Sequence, residues 1–414
     1  MQSYLFVGID THKASHTAAC LDSYFNLITT ITFSNNYQGF IKFLSGLENL
    51  AQGKTLLFGL EDSQGLGSHL AEYLTKKGLL VVDINPVLTD RGRKHTAHRD
   101  KSDERDAILI AKTLIKEKDN LHNVKINKNS LALRELVKYR QLLVEESTRI
   151  KNRLHVLIFS QYPEIINIFT NLFGRCALAF FSKYSDPLVL KKINVSTLTA
   201  FLRSNSKGRY GKIKARAILS NQENNVGNNL ADTRASIIRK HIDRLSKIQE
   251  ELEQIKDMLK VLLEKSSYVC LTSIPGIDTV TAAKIISQIV DISRFASSSK
   301  LAKFAGIAPT ENSTGRKKKY QKSKHGKRYL YSTIYFVALA HISRTRNGLD
   351  KNSISRAYYL KKISEGKTKK EAITCLSRRL IDVIYAIMRD KSLYNFSKSK
   401  FVKQHIIALD TAVA

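Results

Sequence analysis

Nowhere in this 414-residue chain do about eighteen apolar residues follow one another, so no segment is expected to cross a membrane as a helix. The stretch MQSYLFVGID lacks a basic segment leading into a long apolar run, so no secretory signal is expected and the sequence reads as that of a soluble, cytoplasmic protein. Cysteine is sparse. Cys20, Cys176, Cys270 and Cys375 stand far apart, with no CxxC pair and no nearby His pair, which argues against a zinc site and predicts reduced, structural thiols. Acids are in deficit too, with 36 Asp and Glu against 68 Lys and Arg, a formal net charge of +32. A surplus of this size repels itself unless a polyanion neutralises it, so the expected partner is nucleic acid. The length and a 43% hydrophobic fraction predict two or more folded domains.

What is present begins with short apolar runs. Residues 4–10 (YLFVGID) read as a strand ending in a carboxylate, and 16–22 (HTAACLD) as its hairpin partner. An amphipathic stretch (YQGFIKFLSGLENLA), a second run (TLLFGLED), a helical segment (LGSHLAEYLTKKG) and a third run (LLVVDINP) follow. This alternation predicts an α/β domain over residues 1–125 with a mostly parallel central sheet. From about residue 130 the pattern turns helical and basic, with Arg134, Lys138, Arg140, Arg149, Lys151 and Arg153 set among Leu136, Leu143, Ile150, Leu154 and Leu157. Residues 182–227 show less periodicity. Leu245, Ile248, Leu252, Ile255, Leu259 and Leu262 then recur three and four apart, the seam of a coiled coil, although one long helix packed on its own domain accounts for the same pattern. Residues 126–265 are therefore expected as a basic, helical and coiled-coil middle region, 266–350 as a mainly helical C-terminal domain, and 351–414 as a helical tail.

Four carboxylates are candidate metal ligands: Asp10 and Glu61 at the ends of separate strands, and Asp103 with Asp106 in SDERDAILIAK. The last two lie three apart on a predicted helix whose Ile108, Leu109 and Leu114 would face the sheet, so both can project to one side. Three or four converging carboxylates are what a pair of Mg2+ ions requires to clamp a phosphodiester for in-line attack. Singly, each residue has a plainer role: an Asp ending a strand is commonly a cap or turn former, and an acidic pair three apart is commonly a solvated face. Asp62, Asp100 and Glu104 are neighbours that could be confused with the ligands. Two acids ending separate strands of one sheet, where open α/β folds place their sites, raise the joint case.

Further along, Ile274, Pro275, Gly276, Ile277 and Asp278 join two helical stretches in the manner of a helix-hairpin-helix, with Pro275, Gly276 and Ile277 as candidate phosphate contacts; a plain corner within a core fits equally. Arg316, Lys317, Lys318, Lys319, Lys322, Lys324, Lys327 and Arg328 then crowd together with Tyr320, His325 and Tyr329 interleaved, a composition suited to phosphates and stacked bases. Just before them Ser313 and Thr314 place two hydroxyls on an expected flexible turn, where a nucleophile can reach a scissile phosphate, though Ser-Thr-Gly is also ordinary loop chemistry.

Taken in order, GIDTHK, GLEDSQG, KSDERDA, SIPGIDTVTA, FAGIAPTENSTG and KSKHGKRYL resemble the transposases of the insertion-sequence-110 family, over residues 4 to about 350. The resemblance implies an RNase H-like, RuvC-like N-terminal domain with a DEDD set, here Asp10, Glu61, Asp103 and Asp106, followed by a coiled-coil region and a C-terminal domain with a functional serine. It implies DNA cleavage and rejoining in a bacterial cell, guidance by a structured noncoding RNA, and a homodimer or homotetramer. The family's serine directly precedes a glycine after Ala-Pro. Thr314 holds that place here and Ser313 precedes it, so either hydroxyl is a candidate for the covalent step. Two other readings remain at this stage: a RuvC-like nuclease resolving branched DNA by hydrolysis, and an inactive nucleic-acid-binding remnant.

Overall fold

A computed structural model describes residues 3–62, 65–84, 88–90, 92, 102–118, 121, 123, 128–223, 230–314, 317–321, 323 and 326–395. They fall into two compact units, Met1–Leu131 with Ile289–Phe304, and Ala132–Gln288 with Ala305–Ala414.

The first unit is built on a five-stranded sheet. Its strands are β1 (Tyr4–Thr11), β2 (Ser15–Leu21), β3 (Leu27–Ser34), β4 (Thr55–Leu60) and β5 (Leu80–Asp83), in the order β3-β2-β1-β4-β5. β1 pairs antiparallel with β2, and β2 with β3, whereas β1, β4 and β5 run parallel. The sheet is therefore evenly mixed rather than mostly parallel. The sequence reading missed β3: its residues are largely exposed, with one buried side chain, Phe33, so no apolar run marks it as an edge strand.

Both faces of β1 are covered, which is why YLFVGI reads as a continuous apolar run. Leu5, Val7 and Ile9 join Phe58 and Leu60 in a core closed by helices α1 (Tyr37–Ala51) and α2 (Ser68–Lys76), through Phe40, Phe43 and Leu47 and through Leu70 and Leu74. On the opposite side Phe6, Leu57, Val82 and Ile84 meet Ile110 and Leu114 of α3 (Asp103–Glu117), while Ala19 and Leu21 meet Ala107 and Ala111.

Two glycines set how closely α3 approaches. Gly8 and Gly59 are register partners in β1 and β4. A Cβ on Gly8 would lie 2.2 Å from the Ala111 nitrogen and 2.4 Å from the Ala107 oxygen, and one on Gly59 would meet Leu114 and Ile84 at 3.1–3.2 Å. The α3 backbone therefore rests directly on the strand at Gly8, and any side chain there would lift it.

Among its described residues, the second unit is helical apart from one hairpin. Helix α4 (Lys128–Gln161) and the later helix Ala231–Glu264, each of 34 residues, run antiparallel. Tyr139 donates to Glu251, Arg244 pairs with Glu146, and Gln161 donates to the Ala231 carbonyl at 3.0 Å. Of the expected seam, Leu245, Ile248, Ile255 and Leu259 are buried within the chain, whereas Leu252 and Leu262 are half-buried. Four short helices lie between the long ones: α5 (Arg175–Lys183), α6 (Pro187–Lys191), α7 (Val195–Ser206) and α8 (Lys212–Glu223), with the later long helix as α9. They pack through a chain of ring contacts from Tyr162 and Phe169 to Phe180, Phe181, Tyr184 and Phe201. Beyond α9 come α10 (Thr279–Ile289), α11 (Ser298–Phe304), the hairpin β6 (Thr310–Thr314) and β7 (Lys317–Gln321), and then α12 (Arg328–Ile342), α13 (Ser353–Ser364) and α14 (Lys369–Asp390). α11 and the end of α10 belong to the first unit. Among the described residues no helix is long and apolar enough to cross a membrane, and the four cysteines are free, with burial pushing the Cys20 thiol up to about 12.

Candidate active site

The site begins where β1 and β4 end. Because Ile9 pairs with Leu60 in a parallel ladder, the next residues, Asp10 and Glu61, leave adjacent strands side by side. Leu5, Val7 and Ile9 are committed to the α1–α2 core, so strand alternation turns Phe6, Gly8 and Asp10 toward α3.

α3 brings the other acids. Ser102 caps it by accepting the Arg105 N–H at 3.3 Å, which fixes Asp103, Glu104 and Asp106 in the first turn, where the helix dipole favours negative charge. Asp106 is 8% exposed, whereas Asp103 and Glu104 are exposed. Seating α3 on Gly8 holds this turn over the Asp10 strand end.

His12, which sequence reasoning passed over, sits between two of the acids. Its Nε2 lies 3.1 Å from Asp10 Oδ2 and 3.2 Å from Asp103 Oδ1. Asp10, His12 and Asp103 offer ligand atoms all within 4.8 Å of one another. His16 steadies the turn by accepting the His12 backbone N–H on Nδ1 at 3.3 Å, and its own ring is packed against Phe33 and Phe40. The available signal was the spacing of two histidines across the tight β1–β2 turn, THKASH.

Burial pushes the Asp10 carboxyl above its ordinary value, His12 opposes the rise, and the charges of Asp106 and Asp103 add to it. Such clustered negative charge calls for a cation. Carboxylate oxygens with one imidazole form a donor set suited to a divalent ion.

Glu61 and Asp106 lie outside the tightest group. The Thr89 hydroxyl donates to Glu61 Oε1, a partner the sequence did not suggest. Asp62, the acid next to Glu61, is a turn former: its Oδ2 accepts the Leu66 N–H at 2.9 Å and its carbonyl accepts from Gly65 and Gly67. Asp100 lies outside the described residues.

The remaining candidates belong to the second unit. Ser313 and Thr314 stand on β6 opposite Lys318 and Lys317 of β7, so their backbone is a paired strand rather than the expected open turn. Lys319 faces Asn312 in the same ladder. Lys327 and Arg328 are exposed at the start of α12, and Arg316, Lys322 and Lys324 lie outside the described residues. In the 274–278 turn Gly276 takes φ +79° against His341, and the Pro275 carbonyl accepts from that ring. The Ile277 side chain is buried and its N–H is already given to the Ile274 carbonyl.

Residues 7–163 match the DEDD transposase model of the IS110 type, and residues 268–359 match the model described as transposase IS116/IS110/IS902 family. The chain is 23% identical over 392 residues to the insertion element IS116 uncharacterized 44.8 kDa protein of Streptomyces clavuligerus, covering 94% of this chain and 96% of that one. It is 24% identical over 394 residues to the pilin gene-inverting protein of Moraxella lacunata, again covering 94% and 96%. A shorter match, 28% identical over 123 residues, covers 30% of this chain and 33% of the transposase for insertion sequence element IS1111A of Coxiella burnetii. With both family models matched in order and the Streptomyces and Moraxella relatives matched nearly end to end, the chain belongs to the IS110 family of insertion-sequence transposases and is a DNA transposase or recombinase.

Proposed function

We propose that this enzyme cuts and rejoins DNA with divalent cations, magnesium by the chemistry of the donors, held by Asp10, Glu61, Asp103 and Asp106 in an RNase H-like domain spanning about residues 1–125. The observation that carries this is the approach of the α3 acids to Asp10, with Asp10, His12 and Asp103 ligand atoms within 4.8 Å. The sheet order β3-β2-β1-β4-β5, with β2 antiparallel to β1, supports the RNase H-like assignment. When bound, the cations supply charge neutralisation and Lewis-acid activation at a phosphodiester. Asp10 and Asp103, which flank His12, would hold them, with Asp106 adding negative charge from the helix start and Thr89 orienting Glu61.

Rejoining distinguishes this reading from simple hydrolysis. The oxygen of Ser313 or Thr314 attacks phosphorus, a deoxyribose oxygen leaves and takes up a proton, and the phosphoester so formed preserves the bond for transfer to a new sugar hydroxyl. The Moraxella relative is named for inverting a gene, which requires strands to be rejoined, and that favours recombination over hydrolysis. The basic segment from Arg316 to Arg328 and the exposed turn at Pro275 and Gly276 contact nucleic acid in this account, whereas Ile277, buried and with its N–H engaged, does not. The net charge of +32 accords with DNA together with a structured guide RNA. Assembly as a homodimer or homotetramer rests on the family resemblance. The test is Mg2+-dependent cleavage of the element's end junction with its flanking RNA supplied: the wild type yields a covalent protein–DNA adduct, and Ser313→Ala or Thr314→Ala removes it. Cleavage that survives both hydroxyl changes points instead to a hydrolytic nuclease.

A further inference from the structure

A cleft of about 380 Å³ in the second unit lies among three helices, and none of the described residues that line it is acidic. α4 contributes Gln141, the 274–278 turn and α10 contribute Gly276, Thr281 and Lys284, and α12 contributes Tyr329 and Phe336. The volume greatly exceeds the roughly 30 Å³ that one water occupies in the liquid.

Tyr329 in its wall, and Arg140 close enough for its charge to act on both Lys284 and Tyr329, carry donors that lack acceptors. The Tyr329 hydroxyl and the Arg140 Nε are both buried without a hydrogen-bond partner among the described residues. Buried donors are nearly always paired in folded proteins, so an orphaned pair marks a place for an absent acceptor. Lys284 lies 5.7 Å from the centre of the Tyr329 ring, half-buried, and burial followed by the charge of Arg140 pushes its ammonium below the usual lysine range. Asp278 opposes that shift, but its carboxylate is already engaged by the Thr281 N–H at 2.8 Å. Asp278 lies near both cations and balances one of the two positive charges, so the second charge, the Arg140 Nε and the Tyr329 hydroxyl are left for an anion with several acceptor oxygens.

At the edge of the cleft stands Phe336, 68% exposed. A large apolar ring left in water beside a basic cleft is the arrangement on which single-stranded nucleic acids stack a base. A paired base cannot turn its face to that ring.

We propose that this cleft seats one phosphodiester of an unpaired nucleic-acid strand, with Arg140, Lys284 and Tyr329 on the phosphate oxygens and Phe336 against the adjoining base. The proposal rests on the reading of the chain as a nucleic-acid enzyme and adds a site for single-stranded substrate or guide. DNA and RNA share the chemistry, so each is tested.

The experiment measures anisotropy of labelled single-stranded DNA, RNA of the same sequence, and the DNA duplex, with full-length protein at several salt concentrations. Lys284→Met is expected to weaken single-strand binding about tenfold and to reduce the slope of log K against log salt by about 0.7, the share of one phosphate contact. Phe336→Ala is expected to weaken it about tenfold with the slope unchanged, as loss of a stacked base does. Duplex affinity stays within about twofold for both variants. A loss confined to DNA or to RNA supports the site and names its source. Wild-type affinity and slope in both variants overturns the site while leaving the proposed function intact, whereas a wild-type protein that binds none of the three overturns both. Should Lys284→Met fail to fold by circular dichroism, the exposed Phe336→Ala decides alone, and an unchanged affinity there overturns the proposal.

Discussion

Gly8 and Gly59 face each other across the β1–β4 ladder one turn of the pleat before Asp10 and Glu61, and α3 rests on that bare patch with its Ala107 and Ala111 backbone. The catalytic reading of this chain depends on that contact. A helix held farther from the sheet would carry Asp103 and Asp106 away from the Asp10 strand end. The glycine in GID thus has a packing task inseparable from the role proposed for the aspartate two residues on.

Gly8→Ala tests this directly. The new Cβ would stand 2.2 Å from a backbone nitrogen that cannot rotate away, so α3 must shift. We expect a loss of about 3 kcal/mol in urea unfolding of the first unit, at the upper end for overpacking. Mg2+ affinity should fall with it, and an unchanged affinity would separate helix seating from the metal site.

Thr89→Val probes the orientation of Glu61. The hydroxyl that donates to Glu61 Oε1 is lost while the side-chain volume is kept. Losses of outer partners of metal-binding groups typically cost about 10- to 100-fold in affinity. The expected result is a rise of about tenfold in the Mg2+ needed for half-maximal cleavage, with thermal stability little changed.

Much of the first unit was legible in its sequence, and the reasons differ by element. β1, β2, β4 and β5 announce themselves because they are buried on both faces or nearly so. β3 did not, since an edge strand of threonines with one buried phenylalanine has neither an apolar run nor strict alternation. Asp10 and the α3 acids could be singled out as candidates from strand ends and helix spacing, but His12 could not: its place beside them comes from a turn that returns it to the carboxylate two residues earlier. Glu61 and Asp62 are told apart only by their hydrogen bonds. The seam at Leu245, Ile248, Ile255 and Leu259 was equally readable, yet its partner was not, because periodicity marks a face without saying which helix covers it.

Leu245→Ala gauges that helix pair. Leu245 is fully buried, and deleting its side chain from the seam should cost about 3 kcal/mol, within the usual range for such truncations. Calorimetry should show a lower midpoint for the second unit; a shift below the equivalent of about 1 kcal/mol would mean the α4–α9 contact contributes little.

His341 supplies a pH signature in the second unit. Burial holds its ring below the ordinary histidine value, against a smaller opposing pull from the Pro275 carbonyl, and Ser355 Oγ lies 3.0 Å from Nδ1. The folded state therefore keeps the ring neutral where the unfolded chain takes up a proton. Its contribution is present above the unfolded value of about 6.5 and is lost as pH falls below it. Chemical denaturation between about pH 7.5 and pH 5.5 should show stability falling in the wild type and falling less in His341→Gln. A residual slope is expected because burial also lowers His16 and His241. Equal slopes in the two proteins would contradict the assignment.

The most direct test of the central claim is the Mg2+-dependent cleavage of the element's end junction by Asp10→Asn, with the wild type alongside and junction binding measured in both. Asn keeps the shape of Asp10 and removes the charge that a cation requires, while leaving His12 a hydrogen-bond partner. The account predicts that the variant binds the junction as the wild type does and forms neither cleaved strand nor covalent adduct at any Mg2+ concentration. Cleavage at the wild-type rate by Asp10→Asn would contradict it and move the chemistry away from the β1 strand end.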